Sequence, residues 1–254
     1  MILAAVLTVM GAATALAQGI VVNKTDGSKV YFKASEVVSV TTYGYGEDPV
    51  TPGGDTGDAP AGAKAVDLGL PSGTKWANMN VGAEKPEDYG LYFARGETTG
   101  YTSDTNDGHL FNWESYQYGY YDYDSDYSHL VNIGSDIAGT KYDAATANWG
   151  SPWRMPSRAQ IRELWDNCIS EWTTQNGVDG MKFTGPNGGT IFLPAAGDRW
   201  GPDLNYAGTC GVYWSSTLDE SDPVDAYGLY FHSGDVFWCD DGGLSNGQSV
   251  RPVR

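Results

Sequence analysis

Apolar residues along this chain fall mostly into short alternating runs, and few of them repeat at helical spacing. The clearest alternation is YGLYFHSGDVFWCDD, Tyr227 to Asp241. Tyr227, Leu229, Phe231, Val236 and Trp238 form a uniform apolar set. Gly228, Tyr230, His232, Asp235, Phe237 and Cys239 form a mixed set of almost every chemistry. Ser233-Gly234 between the runs predicts a tight hairpin turn. Period two then sends the apolar set to the core and the mixed set outward. Other strands are predicted within VDLGLPSGTKWANMNV, YGLYFARGE, GTIFLPAAG and GVYWSST, with a last strand from Gln248 to Val253.

Helical spacing stands out over one segment. Ser157 and Gln160 make a capping box after Pro156, and Ile161, Leu164, Trp165 and Cys168 then fall on one face. That face is expected to be buried, with Cys168 as a small core residue. A shorter helix is predicted from Asp143 to Asn148. The expected class is α+β, loop-rich, with strands concentrated towards the C-terminus.

Residues 1–17 are apolar and end in Ala15-Leu16-Ala17, a small-x-small pattern that predicts a signal peptide, although the usual basic flank is missing. Residues 18–45 predict a short β-hairpin around Asp26-Gly27. Residues 46–63, rich in Pro, Gly and Asp, predict a flexible linker. The main domain is then 64–254. No later segment is apolar enough to span a bilayer. The protein is therefore expected to be exported, whether to the cell surface, the periplasm or the medium, with no transmembrane segment in the mature chain.

Charge narrows the partners. The 32 acidic residues against 15 Lys and Arg give a net charge of −17, which argues against nucleic acid, because a phosphate backbone needs a basic footprint. Three cysteines, Cys168, Cys210 and Cys239, leave at least one unpaired.

Catalytic and metal patterns are thin. Asp122, Asp124 and Asp126 resemble the start of a calcium loop, but Tyr127 and Ile133 stand where an EF-hand needs Gly and Glu. A solvated acidic loop explains them as well. His109, His129 and His232 lie in no metal-ligand spacing. Asp240 and Asp241 beside Cys239 would raise its pKa, the opposite of what a thiol nucleophile needs. Glu97 and Glu114 make a carboxylate pair of no specificity among so many acids. The expectation is a non-enzyme without cofactor or metal.

The outward set extends beyond the hairpin, to Asp222, Val224 and Asp225 before it and to Asp240, Asp241, Gly242, Gly243, Leu244 and Ser245 after it. An ordinary wet sheet face favours Thr, Lys, Glu and Arg, yet no Lys or Arg occurs between Trp200 and Val250.

VDLGLPSGTKWA, YGLYFARGET, DAATANWGSPWRMPS, FTGPNGGTIFLPAAGDR, GVYWSST and GQSVRPV resemble, in order, the motifs of the Fibrobacter-type major paralogous domain, a family of secreted proteins of gut Bacteroidetes. The resemblance covers residues 64–254. WRMPSRAQIREL and SVRPV are also similar to segments of formylglycine-generating enzymes. Both resemblances imply a C-type lectin-like fold in its formylglycine-generating variant. The paired catalytic cysteines of those enzymes are missing, so their activity is not implied.

Some such domains resemble the variable proteins of diversity-generating retroelements, in which adenines of Asn-type codons are randomised. Randomised AAC or AAT never yields Lys, Glu, Gln, Met or Trp. Every residue of the outward set is reachable, namely Asp222, Val224, Asp225, Gly228, Tyr230, His232, Asp235, Phe237, Cys239, Asp240, Asp241, Gly242, Gly243, Leu244 and Ser245. Trp238 and Gln248 are unreachable and fall at framework positions. The resemblance implies an adhesin or receptor-type protein that binds a protein or glycan ligand on this set. The aspartates predict a ligand with a cationic surface. An undiversified structural cell-surface domain and a formylglycine-generating-type enzyme are the rival readings.

Overall fold

The computed structural model describes residues 59–121 and 127–254, with backbone alone for 238–241, and three short N-terminal strands. It divides into two compact units, Met1–Thr51 and Pro52–Arg254. In the first, β1 (Val6–Leu7), β2 (Ile20–Asn23) and β3 (Lys29–Phe32) form an antiparallel sheet. The expected hairpin is the β2–β3 pair, with Asn23 opposite Lys29. Asp26-Gly27, the residues 46–58 of the expected linker, and the acidic triplet Asp122, Asp124 and Asp126 lie outside the described residues.

The second unit begins earlier than Lys64. Ala59 and Ala63 pack against its core, and Gly62 O accepts from Asn78 Nδ2. The unit is mixed, mostly strand, with many loops. Its strands are β4 (Ala65–Asp67), β5 (Lys75–Ala77), β6 (Tyr92–Phe93), β7 (Ile169–Gln175), β8 (Val178–Thr184), β9 (Thr190–Pro194), β10 (Asp198–Trp200), β11 (Asp203–Asn205), β12 (Cys210–Leu218), β13 (Asp225–His232), β14 (Asp235–Gly243) and β15 (Gln248–Ser249). Its helices are α1 (Ala144–Trp149) and α2 (Arg158–Asn167). Among the described residues no helix is long and apolar enough to cross a membrane.

Both helices start where the caps place them. Asp143 caps α1 by accepting from Ala145 N and Thr146 N, and Ser157 with Gln160 closes a capping box on α2. The apolar stripe of α2 is narrower than expected. Ile161 and Leu164 are buried, but Trp165, at its flank, is 37% exposed. Cys168 is already extended at the C-cap and half-buried. Burial pushes its thiol up to about 11, so it stays protonated at neutral pH.

One hairpin was not anticipated. β7 and β8 pair from Ile169–Thr184 to Gln175–Val178, turning on Asn176 (φ 50) and Gly177 (φ 87). Asn-Gly with both φ positive is the type I′ turn that matches strand twist. The runs at 66–81 and 89–97 yield only short strands, and the last strand is Gln248–Ser249, not 248–253.

The main sheet runs β14-β13-β12-β15-β6, antiparallel except between β12 and β15. It separates two cores. Tyr213, Leu229, Phe231 and Val236 face a core that includes Ile161, Leu164 and Phe183. Trp214 and Ala226 face the other core, with Phe93, Met79 and Trp149. Gly211 pairs with Phe231, and a Cβ there would overlap the Phe231 ring, so glycine is required.

Candidate functional site

The last hairpin turns on Ser233-Gly234 as expected, with His232 opposite Asp235, Tyr230 opposite Phe237 and Gly228 opposite Cys239. Its bulge lies at the far end, between Ala226 and Gly228, so alternation near the turn is undisturbed. Leu229, Phe231 and Val236 are buried, as the apolar set predicts. Tyr227 is only half-buried and lies under the Arg158 guanidinium, 3.8 Å from its ring centroid. The side chains of Trp238, Cys239, Asp240 and Asp241 lie outside the described residues.

Near the turn, the mixed face carries a cluster of rings. Tyr230 and Phe237 stack with centroids 4.9 Å apart, and His232 meets them edge-on at 5.9 and 6.0 Å. All three are half-buried, and Asp235 beside them is exposed. Cys210, directly across β12 from His232, puts Sγ 3.0 Å from Tyr230 Oη. Tyr206, 68% exposed, precedes it in a turn whose carbonyl accepts from Cys210 N. Neither Cys210 nor Tyr206 was singled out as a site residue from the sequence. Both lie just before the predicted strand GVYWSST, whose pairing partner follows only from the sheet order.

At the other end of these strands the outward assignment fails for four residues. Gly228 and Gly242 are buried, and Leu244 and Ser245 are 5% and 3% exposed. The cause is the second core. Trp214, opposite Gly228, covers that part of the face, and a Cβ at Gly242 would lie 2.9 Å from Trp214 Cζ3. Leu244 is itself a core residue, donating its N–H to Val224 O and accepting from Arg95 N. Asp222, Val224, Asp225 and Gly243 remain half-buried, and Asp222 Oδ1 accepts from Tyr127 Oη at 3.3 Å. The expected positions whose side chains are described are therefore split between an open face at the turn and a base that is partly core.

Two concavities flank the strands. A groove of about 180 Å³ lies beside the turn, between Asp235 and the indoles of Trp165 and Trp172. A larger cavity, of about 430 Å³, lies at the base, where Leu218, Pro223 and Leu244 form one side and Arg95 another. Among the described residues no cluster of His, Cys, Asp or Glu could hold a metal ion.

Compared with known proteins, the chain matches no family model, no curated protein and no solved structure.

Proposed function

We propose that this chain is an exported, non-enzymatic binding protein of adhesin or receptor type, with a C-type lectin-like fold. Its ligand sits on the open face of the last hairpin. The observation that supports this most is the segregation at the turn. Leu229, Phe231 and Val236 anchor one face in the core, while Tyr230, His232 and Phe237 expose a contiguous set of rings on the other. Amphipathic rings on a rigid element offer large contact area at small entropic cost, and such residues dominate binding energy at interfaces. Asp235 at the rim, with Asp222 and Asp225 along the same segment, favours a ligand with a cationic surface.

The motif resemblance adds the second part of the reading, that a retroelement diversifies this surface. Burial of Gly228, Gly242, Leu244 and Ser245 confines useful variation to the remaining positions. The domain architecture, with a signal peptide at 1–17, belongs to the same proposal.

Two experiments test it. The genomic neighbourhood should hold a reverse transcriptase gene and an adenine-substituted repeat of the C-terminal coding region; a locus without either removes diversification from the reading. The full protein and a variant carrying Tyr230→Ala, His232→Ala and Phe237→Ala should be probed against glycan arrays and basic surface proteins. A ligand captured by the first and lost by a folded variant supports the site. Equal capture by both overturns it.

A further inference from the structure

Arg95, Arg199 and Arg251 are all fully buried, and they are not equivalent. Arg199 has a carboxylate partner, with Nη1 2.7 Å from Asp107 Oδ2. Arg251 has each of its three nitrogens bonded, to Asn80 Oδ1, Ala77 O and Phe192 O. Arg95 has neither arrangement. Its Nη2 donates to the carbonyls of Gly134 and Ser216, at 3.1 and 3.3 Å, and its Nε has no partner. Among the described residues no ion pair joins it to a carboxylate.

Arg95 also lines the cavity of about 430 Å³ at the base of the main sheet. The other walls are largely apolar, including Leu130, Val131, Ile133, Leu218 and Pro223. The Arg95 backbone is held in place, since its carbonyl accepts from Tyr116 Oη at 2.9 Å and its N–H donates to Leu244 O at 2.9 Å. The Asp136 carboxylate acts on Arg95 from a distance, but a fixed, buried cation without a direct ion pair is costly. A guanidinium presents a fork that matches a carboxylate. Largely apolar walls with a few polar groups, here Arg95 with Asn132, Ser135 and Glu220, are the usual make-up of a small-molecule site.

We propose that this cavity binds a small organic monocarboxylate, with its carboxylate on Arg95 and its hydrocarbon body against Leu130, Ile133 and Leu218. Glu220 also lines the cavity and would repel a second negative charge, which selects monoanions over diacids and phosphates. Burial lowers the Arg95 pKa from its ordinary value, and a bound anion would offset that cost. The cavity lies at the opposite end of β12–β14 from the ring cluster, so this inference does not rest on the proposed hairpin site.

The test uses the full-length protein and calorimetric titration with acetate, hexanoate, benzoate and 3-phenylpropionate, each against its neutral amide. Methyl resonances of Leu130, Ile133 and Leu218 are followed in parallel. At least one acid with an apolar body should bind about tenfold or more tighter than its amide, the worth of one charge-assisted contact, and should shift those methyls. Arg95→Lys should remove that preference. Glu220→Gln should tighten the acid and leave the amide unchanged, which keeps the test intact if the Arg95 variant does not fold. No binding of any acid at millimolar concentration, equal binding of acid and amide, unmoved methyls, or an unchanged acid affinity in Glu220→Gln would each overturn the site.

Discussion

Arg251 Nε donates to Asn80 Oδ1 over 2.8 Å, a bond between residues 171 positions apart. The same guanidinium holds Ala77 O at the end of β5 and Phe192 O in β9, so one side chain ties early and late parts of the second unit together. Asn80 is itself oriented by donating to Tyr89 O. Arg251→Ala would leave three buried acceptors unpaired and should cost about 3–5 kcal/mol. Arg154 also has apolar neighbours in sequence, but its links to Val253 are backbone N–H and C=O, at 3.0 and 2.8 Å. Arg154→Ala keeps both and should cost about 1 kcal/mol or less. Urea melts of the two variants check the contrast; equal losses would contradict it.

Asp198 makes stability depend on pH in a set direction. Burial pushes its carboxyl up to about 6, above an unfolded value near 4. Between about pH 4 and 6 the folded state binds the extra proton, so this group's contribution falls as pH rises through that window and is flat above it. Asp198→Asn should therefore match the parent near pH 4 and melt higher at pH 7. Thermal melts across that range measure the difference, and a constant offset at every pH would contradict the assignment.

The folded unit should need the residues just before Lys64. Ala59 and Ala63 pack on the core, and Asn78 bonds both Gly62 O and Lys64 N. A chain of 59–254 should melt cooperatively and close to the full protein, whereas 64–254 should melt several degrees lower. Identical melting of the two truncations would place the boundary back at Lys64.

Local patterns were legible where one residue's chemistry decides the backbone. The α2 start follows from Ser157 and Gln160, and the last hairpin follows from alternation about Ser233-Gly234. Asn176-Gly177 carried an equally strong turn signal and should have revealed β7 and β8. What strand alternation cannot show is a second layer. It marks two faces and implies that one is wet, but Trp214 and Leu244 bring a second core onto the base of the mixed face. Hence Tyr230 and Phe237 are half-buried near the turn, while Gly228, Gly242, Leu244 and Ser245, expected outward, are buried. The cavity at Arg95 was illegible for the same reason, since its walls come from loops and strand ends far apart in sequence.

The two faces of the last hairpin should separate stability from binding. Leu229, Phe231 and Val236 are 1%, 0% and 4% exposed and belong to one core cluster. Truncation of Leu229 or Phe231 to Ala should cost about 2–5 kcal/mol each, from lost burial and the cavity left behind. Tyr230, His232 and Phe237 are half-buried, contact one another, and belong to neither core cluster. Truncating any one of them should cost about 1 kcal/mol or less, because water can fill the space. The register supports this division, as no bulge interrupts the pairing between Gly228–Cys239 and His232–Asp235. Urea melts of Leu229→Ala, Phe231→Ala, Tyr230→Ala, His232→Ala and Phe237→Ala decide it. If the three ring variants lose as much stability as the two core variants, the rings are structural and the open face is not a binding surface.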